Sequence, residues 1–332
     1  MKKLLLFVTL ISFSFIQAQT FTIDNINYEV IPSTTNVKVT GLASPVTDMV
    51  IPETVNNSSI DYTVTMIDDN AFEDKIDLSS AVIPNSVTSI GANAFKGCLF
   101  MTSLDIGDSV TSIGNDAFQS CASLTTIDLP NSLKTIGDRA FEYNGLLSLA
   151  IPNSVETIGS YAFYGSDVLA SISIGNSVTS IDVFAFGVQA LNSTLTSVSC
   201  AIPSPLTINA NVFSNRNLSA CNLIVLSSSL SAYQTADVWK DFNTINGTLS
   251  VENVLLQNEI SFYPNPIQNE LFIDVKGLNN AKLEVINVQG KQQFNHVLRK
   301  INTINTSNLS TGIYFIKVTS DEGTISKKII KN

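Results

Sequence analysis

The chain has 332 residues, 44% of them hydrophobic, enough for a sizeable core and for two domains. Its net charge of −10 is unevenly spread: residues 19–258 carry 7 basic and 22 acidic side chains, residues 259–332 carry 9 basic and 6 acidic. A body that acidic repels phosphate backbones, which argues against nucleic acid as a partner.

Residues 1–18 read as a secretory signal peptide. Lys2 and Lys3 form the charged start and residues 4–16 the apolar run. Ala18 before Gln19 fits a small-residue cleavage site. The run is too short to span a bilayer comfortably, and the mature chain has no other stretch that reads as a transmembrane segment. Residues 19–49 alternate in FTIDNINYEVI and NVKVTGL without any repeat signature, and read as an N-terminal hairpin cap.

One unit then recurs. Phe95, Phe118, Phe141, Phe163 and Phe186 follow one another at steps of 23, 23, 22 and 23 residues, and Ile90, Ile113, Ile136, Ile158 and Ile181 keep the same steps. A fixed period of this length predicts a solenoid, because one unit cannot bury its own apolar side without neighbours. In the second clean unit the inward set is Val110, Ile113, Ala117, Phe118, Cys121, Leu124, Ile127 and Leu129. Ile127 and Leu129 have strand spacing, whereas Phe118, Cys121 and Leu124 suit a tight helical turn. Seven coils are traceable over residues 51–213. At about 4.8 Å per coil they make a rod roughly 35 Å long.

These residues carry a resemblance. The units IPNSVTSIGANAFKGC and IGDSVTSIGNDAFQSC resemble the BspA-type leucine-rich repeat of bacterial surface proteins. The resemblance implies a right-handed solenoid used for binding and adhesion, with no catalytic centre of its own. The solenoid with its C-terminal cap is assigned to residues 50–242. Within it, residues 231–242 have helix-like spacing and are expected to form a cap helix, with Trp239 in the cap core. Residues 243–258 are polar and weakly patterned and read as a linker.

Residues 259–332 change to short alternating runs separated by turn residues. Seven short strands in this length suggest a small immunoglobulin-like β-sandwich, so the fold class is mainly β throughout. The set YPNP (Tyr263, Pro264, Asn265, Pro266), VINVQGK with Gly290, NLSTGIYFIKV with Gly312 and Tyr314, and KKIIKN with Lys327 and Lys328 is similar to the type A sorting domain of the type IX secretion system. That likeness implies the type IX secretion machinery as a partner. It also implies export across the outer membrane of a Gram-negative bacterium, removal of the domain, and surface attachment or release.

Catalytic chemistry is not visible. His296 is the one histidine, and no HExxH motif, phosphate loop or CxxC pair occurs. No cofactor and no metal is implied. Cys98 and Cys121 share one position on adjacent coils, within disulfide range. Asn144 and Ser166 take that place later, so buried free thiols are expected.

Ligand contacts are expected where one column before the Ala-Phe pair varies: Asn70, Asn93, Asp116, Arg139, Tyr161, Phe184 and Asn211. Arg139, Tyr143, Tyr161, Tyr164 and Phe184 fall on consecutive units and form the candidate patch for an unidentified extracellular protein or glycan. Incidental surface aromatics are the competing reading. A second polar column, Ser103, Thr126, Ser148 and Ser171, suits either glycan contact or plain solubility. The functional expectation is a secreted, surface-displayed adhesion or ligand-binding protein. The alternatives are a structural matrix component and a glycan-binding accessory protein.

Overall fold

The computed structural model describes residues 19–191, 194–249, 260–263, 267, 269–275, 281–287, 291–299, 301–320 and 323–331. The expected signal peptide, including Ala18, lies outside the described residues, as do residues 250–258, Pro264, Asn265, Pro266 and Gly290.

The Ser/Thr-Ile pairs of the repeat form one parallel ladder. Strands Ser89–Ile90, Ser112–Ile113, Thr135–Ile136, Thr157–Ile158 and Ser180–Ile181 pair in register, isoleucine beside isoleucine. The period of two along a strand buries each isoleucine and turns each hydroxyl outward. Four of these five pairs are followed by a glycine at a close approach between coils. A Cβ on Gly159 would stand 2.6 Å from the Asp138 backbone nitrogen, so only glycine fits there.

The core is a stack of phenylalanines. Phe72, Phe95, Phe118, Phe141, Phe163, Phe186 and Phe213 follow one another at ring-centroid separations of 4.9, 5.1, 5.2, 5.3, 5.8 and 5.5 Å. From Phe95 onward the rings lie within 23° of parallel. Such pairs contribute about 0.5–1.5 kcal/mol each beyond the area they bury. A buried alanine precedes six of the seven rings and lets the coils close.

Three residues after five of the seven rings sits a second inward column, Cys98, Cys121, Asn144, Ser166 and Arg216, and all but Ser166 donate a side-chain hydrogen bond there. Cys98 Sγ–H donates to the Phe72 carbonyl at 3.3 Å, and Cys121 Sγ–H to the Phe95 carbonyl at 3.3 Å. Asn144 Nδ2 donates to the Phe118 carbonyl at 3.1 Å, and Arg216 Nε to the Phe186 carbonyl at 3.1 Å. Each donor adds a side-chain bond to a phenylalanine carbonyl, and those of Phe72, Phe95 and Phe118 also accept the backbone N–H three residues on. The four cysteines are free and buried. Burial pushes the Cys98 thiol up to about 12 and those of Cys200 and Cys221 up to about 11, and raises that of Cys121. Burial lowers Arg216 to about 10, which leaves it charged at neutral pH.

The structure departs from the expected pattern in five ways. The stack has about nine turns, two beyond the seven that the phenylalanines mark, because the end turns carry no such ring. At the N-terminal end, strands Thr20–Ile23, Ile26–Val30 and Asn36–Leu42 form an antiparallel meander. Its last strand pairs in parallel with Ile60–Ile67. Strand Asp48–Val50 already pairs with Ser80–Val82, so the first coil begins inside the stretch expected to be cap alone.

At the other end, the expected helix over residues 231–242 is one turn, Leu230–Tyr233, and a 3₁₀ turn, Trp239–Asp241. The helix ends at Tyr233, and Val238 at φ 70° keeps the chain from running on helically into the 3₁₀ turn. Aromatic pegs do the capping. Tyr233 Oη donates to the Ile202 carbonyl at 2.9 Å and Trp239 Nε1 to the Leu206 carbonyl at 2.9 Å. Trp239 and Phe242 close over Phe213, edge to face. The expected linker begins too early as well. Thr244–Leu249 is a strand, because Asn222–Leu226 offers it a parallel partner.

The fifth departure is inside the stack. Ile127 and Leu129 are buried at 8% and 9% exposure but form no strand. The outer ladder therefore splits into Asp48–Val50, Ser80–Val82 and Ser103–Asp105 on one side and a five-stranded sheet starting at Ser148–Ala150 on the other. The break faces the unit shortened to 22 residues, where Gly145 tightens the turn against the Ala122 carbonyl.

Among the described residues of 260–331, seven strands form two antiparallel sheets. Ile260–Tyr263, Glu270–Val275 and Ile301–Asn305 make one. Gln292–Val297, Lys282–Asn287, Gly312–Ser320 and Gly323–Lys331 make the other. Phe262, Leu271, Ile273, Leu283, Val285, Ile316 and Val318 share one core.

Two measurements check the stack. Phe118→Ala should lower stability to urea by on the order of 3–5 kcal/mol, since neighbours on both sides would line the cavity. A loss below about 1 kcal/mol would mean that the ring carries no core. All four thiols should resist alkylation in the folded chain at pH 8 and label fully in denaturant without reductant. Missing label on Cys98 or Cys121 would reveal a crosslink.

Candidate binding surface

The segment around each phenylalanine has a fixed backbone rhythm. Residues two before the ring, at the ring and two after it all donate N–H to the next coil. Around Phe118, for example, Asp116 donates to Asp138, Phe118 to Ala140 and Ser120 to Glu142, at 2.7–2.8 Å. The flanking residues take the left-handed conformation. The preceding column is Asn70, Asn93, Asp116, Arg139, Tyr161 and Phe184, at φ 53–60°. The following column is Asp74, Gly97, Ser120, Tyr143, Gly165 and Asn215, at φ 55–74°.

Asparagine, aspartate and glycine suit this conformation, and bulky residues there cost about 1–2 kcal/mol. The early coils obey that preference. The fourth to sixth do not, and place Arg139, Tyr143, Tyr161 and Phe184 at strained positions. The expected patch residues thus meet on consecutive coils. Tyr161 stacks on Phe184 at 4.8 Å and 17°. Tyr164 meets both at 5.3 and 6.2 Å, nearly perpendicular, and Tyr143 at 6.0 Å.

Small residues make room for these rings. Tyr143 lies over Gly165, where a Cβ would come within 2.4 Å of its ring, and Tyr164 lies over Gly187 at 3.2 Å. The Arg139 guanidinium covers the Tyr161 ring at 5.3 Å and pairs with the mostly buried Glu142 at 3.7 Å. Glu142 also accepts from the Gln119 amide. Gln189 Nε2 donates to Tyr143 Oη at 2.7 Å. Burial, then the neighbouring Tyr143 and Tyr161, raise the Tyr164 hydroxyl pKa. Arg139 and Tyr143 are exposed, and Tyr161, Tyr164 and Phe184 are half-buried.

Beside this aromatic ridge runs a shallow trough of about 410 Å³. Its polar lining comes from Ser112, Thr135, Thr157, Asn115, Asp138 and Asp182, with Gly114, Gly137 and Gly159 between them. The expected patch did not include it. The signal was the hydroxyl before each Ile-Gly or Ile-Asp pair, which repeats with the coils. Among the described residues no three His, Cys, Asp or Glu side chains are grouped to hold a metal ion. His296 is exposed on strand Gln292–Val297.

The expected sorting residues are spread through the C-terminal sheets. Tyr263 ends strand Ile260–Tyr263. Gly312 opens a strand whose Tyr314 is buried, with its hydroxyl donating to the Ser310 carbonyl at 2.9 Å. Lys327 and Lys328 lie on the last strand, opposite Ile316 and Phe315, and Lys327 is exposed. Gln19, the expected mature start, accepts from Val30 N–H through its carbonyl at 2.9 Å.

Comparison with known proteins adds three findings. The model of the BspA type leucine rich repeat region matches residues 52–167 and 134–236, in six copies. The model of the secretion system C-terminal sorting domain matches residues 261–332. Among solved structures, the leucine-rich repeat protein of T. pallidum is similar at 24% identity and a TM-score of 0.50, over 67% of this chain and 93% of that one. A leucine-rich repeat protein from Bacteroides ovatus is similar at 21% identity and a TM-score of 0.43, over 68% of this chain and 76% of that one. No curated protein matches the chain.

The ridge makes a distinctive expectation. Tyr161→Asn and Phe184→Asn restore the residue type of the early coils. Relief of backbone strain should offset lost stacking, so stability to urea should stay within about 1 kcal/mol of the parent. A loss above about 2 kcal/mol would make the rings part of the scaffold.

Proposed function

The chain belongs to the BspA-type leucine-rich repeat family and ends in a secretion sorting domain, and on that premise we propose a ligand-binding adhesin. The sorting domain addresses it to type IX secretion, and so to the cell surface or the extracellular space. Among the described residues no helix is long and apolar enough to cross a membrane.

The solenoid acts as a rigid, non-catalytic display surface for an extracellular protein or glycan. One observation carries this reading: in the two columns that flank the stacked rings, bulky residues occupy left-handed positions on the coils that build the aromatic ridge and on no others. Strain that a scaffold has no use for points to function. The residues proposed for contact are Arg139, Tyr143, Tyr161, Tyr164 and Phe184.

Processing follows from the same premise. Residues 1–18 are proposed to be removed at Ala18, and residues 259–332 after translocation. Leu249 still pairs with Leu226 in the solenoid sheet, so the second cleavage is expected after Leu249 rather than anywhere in residues 243–258.

Cells expressing the parent, a Tyr161→Asn/Phe184→Asn variant and a chain lacking residues 259–332 test the proposal. The parent should be on the surface or in the medium and confer adhesion to host matrix or glycan-coated plates. The double variant should reach the same place with adhesion lost. The truncated chain should accumulate folded in the periplasm. Unchanged adhesion in the double variant would favour a structural matrix role instead, and surface display of the truncated chain would remove the sorting role.

A further inference from the structure

We propose that the trough beside the ridge holds a linear neutral glycan lengthwise along the rod. The inference rests on the ligand-binding reading and narrows it to one substrate class. Ser112, Thr135 and Thr157 lie on successive coils of one in-register ladder, so their hydroxyls repeat at the strand spacing. A ligand that matches them must itself repeat along an axis and present polar groups at each step.

The lining excludes other occupants. The isoleucines beneath the trough are buried to 5% exposure or less, so no apolar pocket exists to anchor a protein side chain. The strands of the trough pair on both sides with neighbouring coils, so no free edge can add a peptide strand. What remains exposed is hydroxyl, amide and carboxylate. Asp138 Oδ1 accepts from Ser160 N–H at 2.8 Å and Asp182 Oδ1 from the Ser180 hydroxyl at 3.1 Å. Each keeps its second oxygen to accept from a sugar hydroxyl.

Charge sets the class further. Asp138 and Asp182 sit in the trough of a solenoid with 22 acidic and 7 basic side chains over residues 19–258. Uronic, sulfated and phosphorylated chains are repelled, and neutral ones are not. The ridge begins two residues beyond Gly137 and Gly159 on the same coils, which puts aromatic surface alongside a chain in the trough.

Affinity electrophoresis of the full chain tests this, in gels containing a panel of soluble linear neutral polysaccharides and, separately, polygalacturonate. Retardation by at least one neutral polysaccharide and none by polygalacturonate is expected. Thr135→Val/Thr157→Val keeps strand propensity and removes two hydroxyls, and should weaken retardation about tenfold. Ser103→Ala/Ser148→Ala, on the two sheets of the outer ladder, should leave it unchanged. Binding that survives the threonine changes but is lost in Tyr161→Asn/Phe184→Asn would overturn the trough while leaving the ridge as a ligand site. Retardation by no neutral polysaccharide, with capture on a peptide array, would overturn the glycan and keep the binding reading. Failure on both panels would overturn both.

Discussion

Each coil has to approach the next to within one strand spacing, and this approach governs the rest of the molecule. It admits only glycine where Gly159 meets the Asp138 backbone, and alanine beside six of the seven stacked rings. It aligns phenylalanines at 4.9–5.8 Å, where parallel rings attract. On four coils it also brings a phenylalanine carbonyl of the preceding coil within reach of an inward side-chain donor. Cysteine, asparagine and arginine are interchangeable in the donor column because each answers that carbonyl.

The same approach creates the surface. Donating N–H groups to the next coil accompanies left-handed backbone on both sides of the rings from Phe72 to Phe163. A scaffold alone would fill both columns with asparagine, aspartate and glycine, as the first coils do. Arginine, tyrosine and phenylalanine replace them on the fourth to sixth coils, beside a polar trough built from the strand hydroxyls. Stability and recognition therefore share one backbone device. In the columns that flank the rings, bulky left-handed residues fall on the three coils that carry the ridge.

The ladder was legible in the sequence because one unit is copied with little change, so a register error would displace every ring at once. The aromatic patch was legible as variation in a column, but its left-handed backbone was not. The clue lay in the asparagines and aspartates that share the column with Tyr161. The trough was hidden because Thr135 and Thr157 look like ordinary strand polar positions until the coils are stacked. The cap helix failed because residues 231–242 have helical apolar spacing, while Val238 adopts a backbone that periodicity cannot encode. Thr244–Leu249 read as linker because a polar strand containing Gly247 is recognisable only from its partner.

The dependence on nearest-neighbour stacking is open to one direct measurement. A double-mutant cycle on Phe118→Leu and Phe141→Leu compares adjacent rungs, 5.2 Å apart. The same cycle on Phe118→Leu and Phe186→Leu compares rungs that never touch. Adjacent rungs should couple by about 0.5–1.5 kcal/mol, and the distant pair should be additive within about 0.5 kcal/mol. Equal coupling in both cycles, or none in either, would contradict a solenoid held together rung by rung.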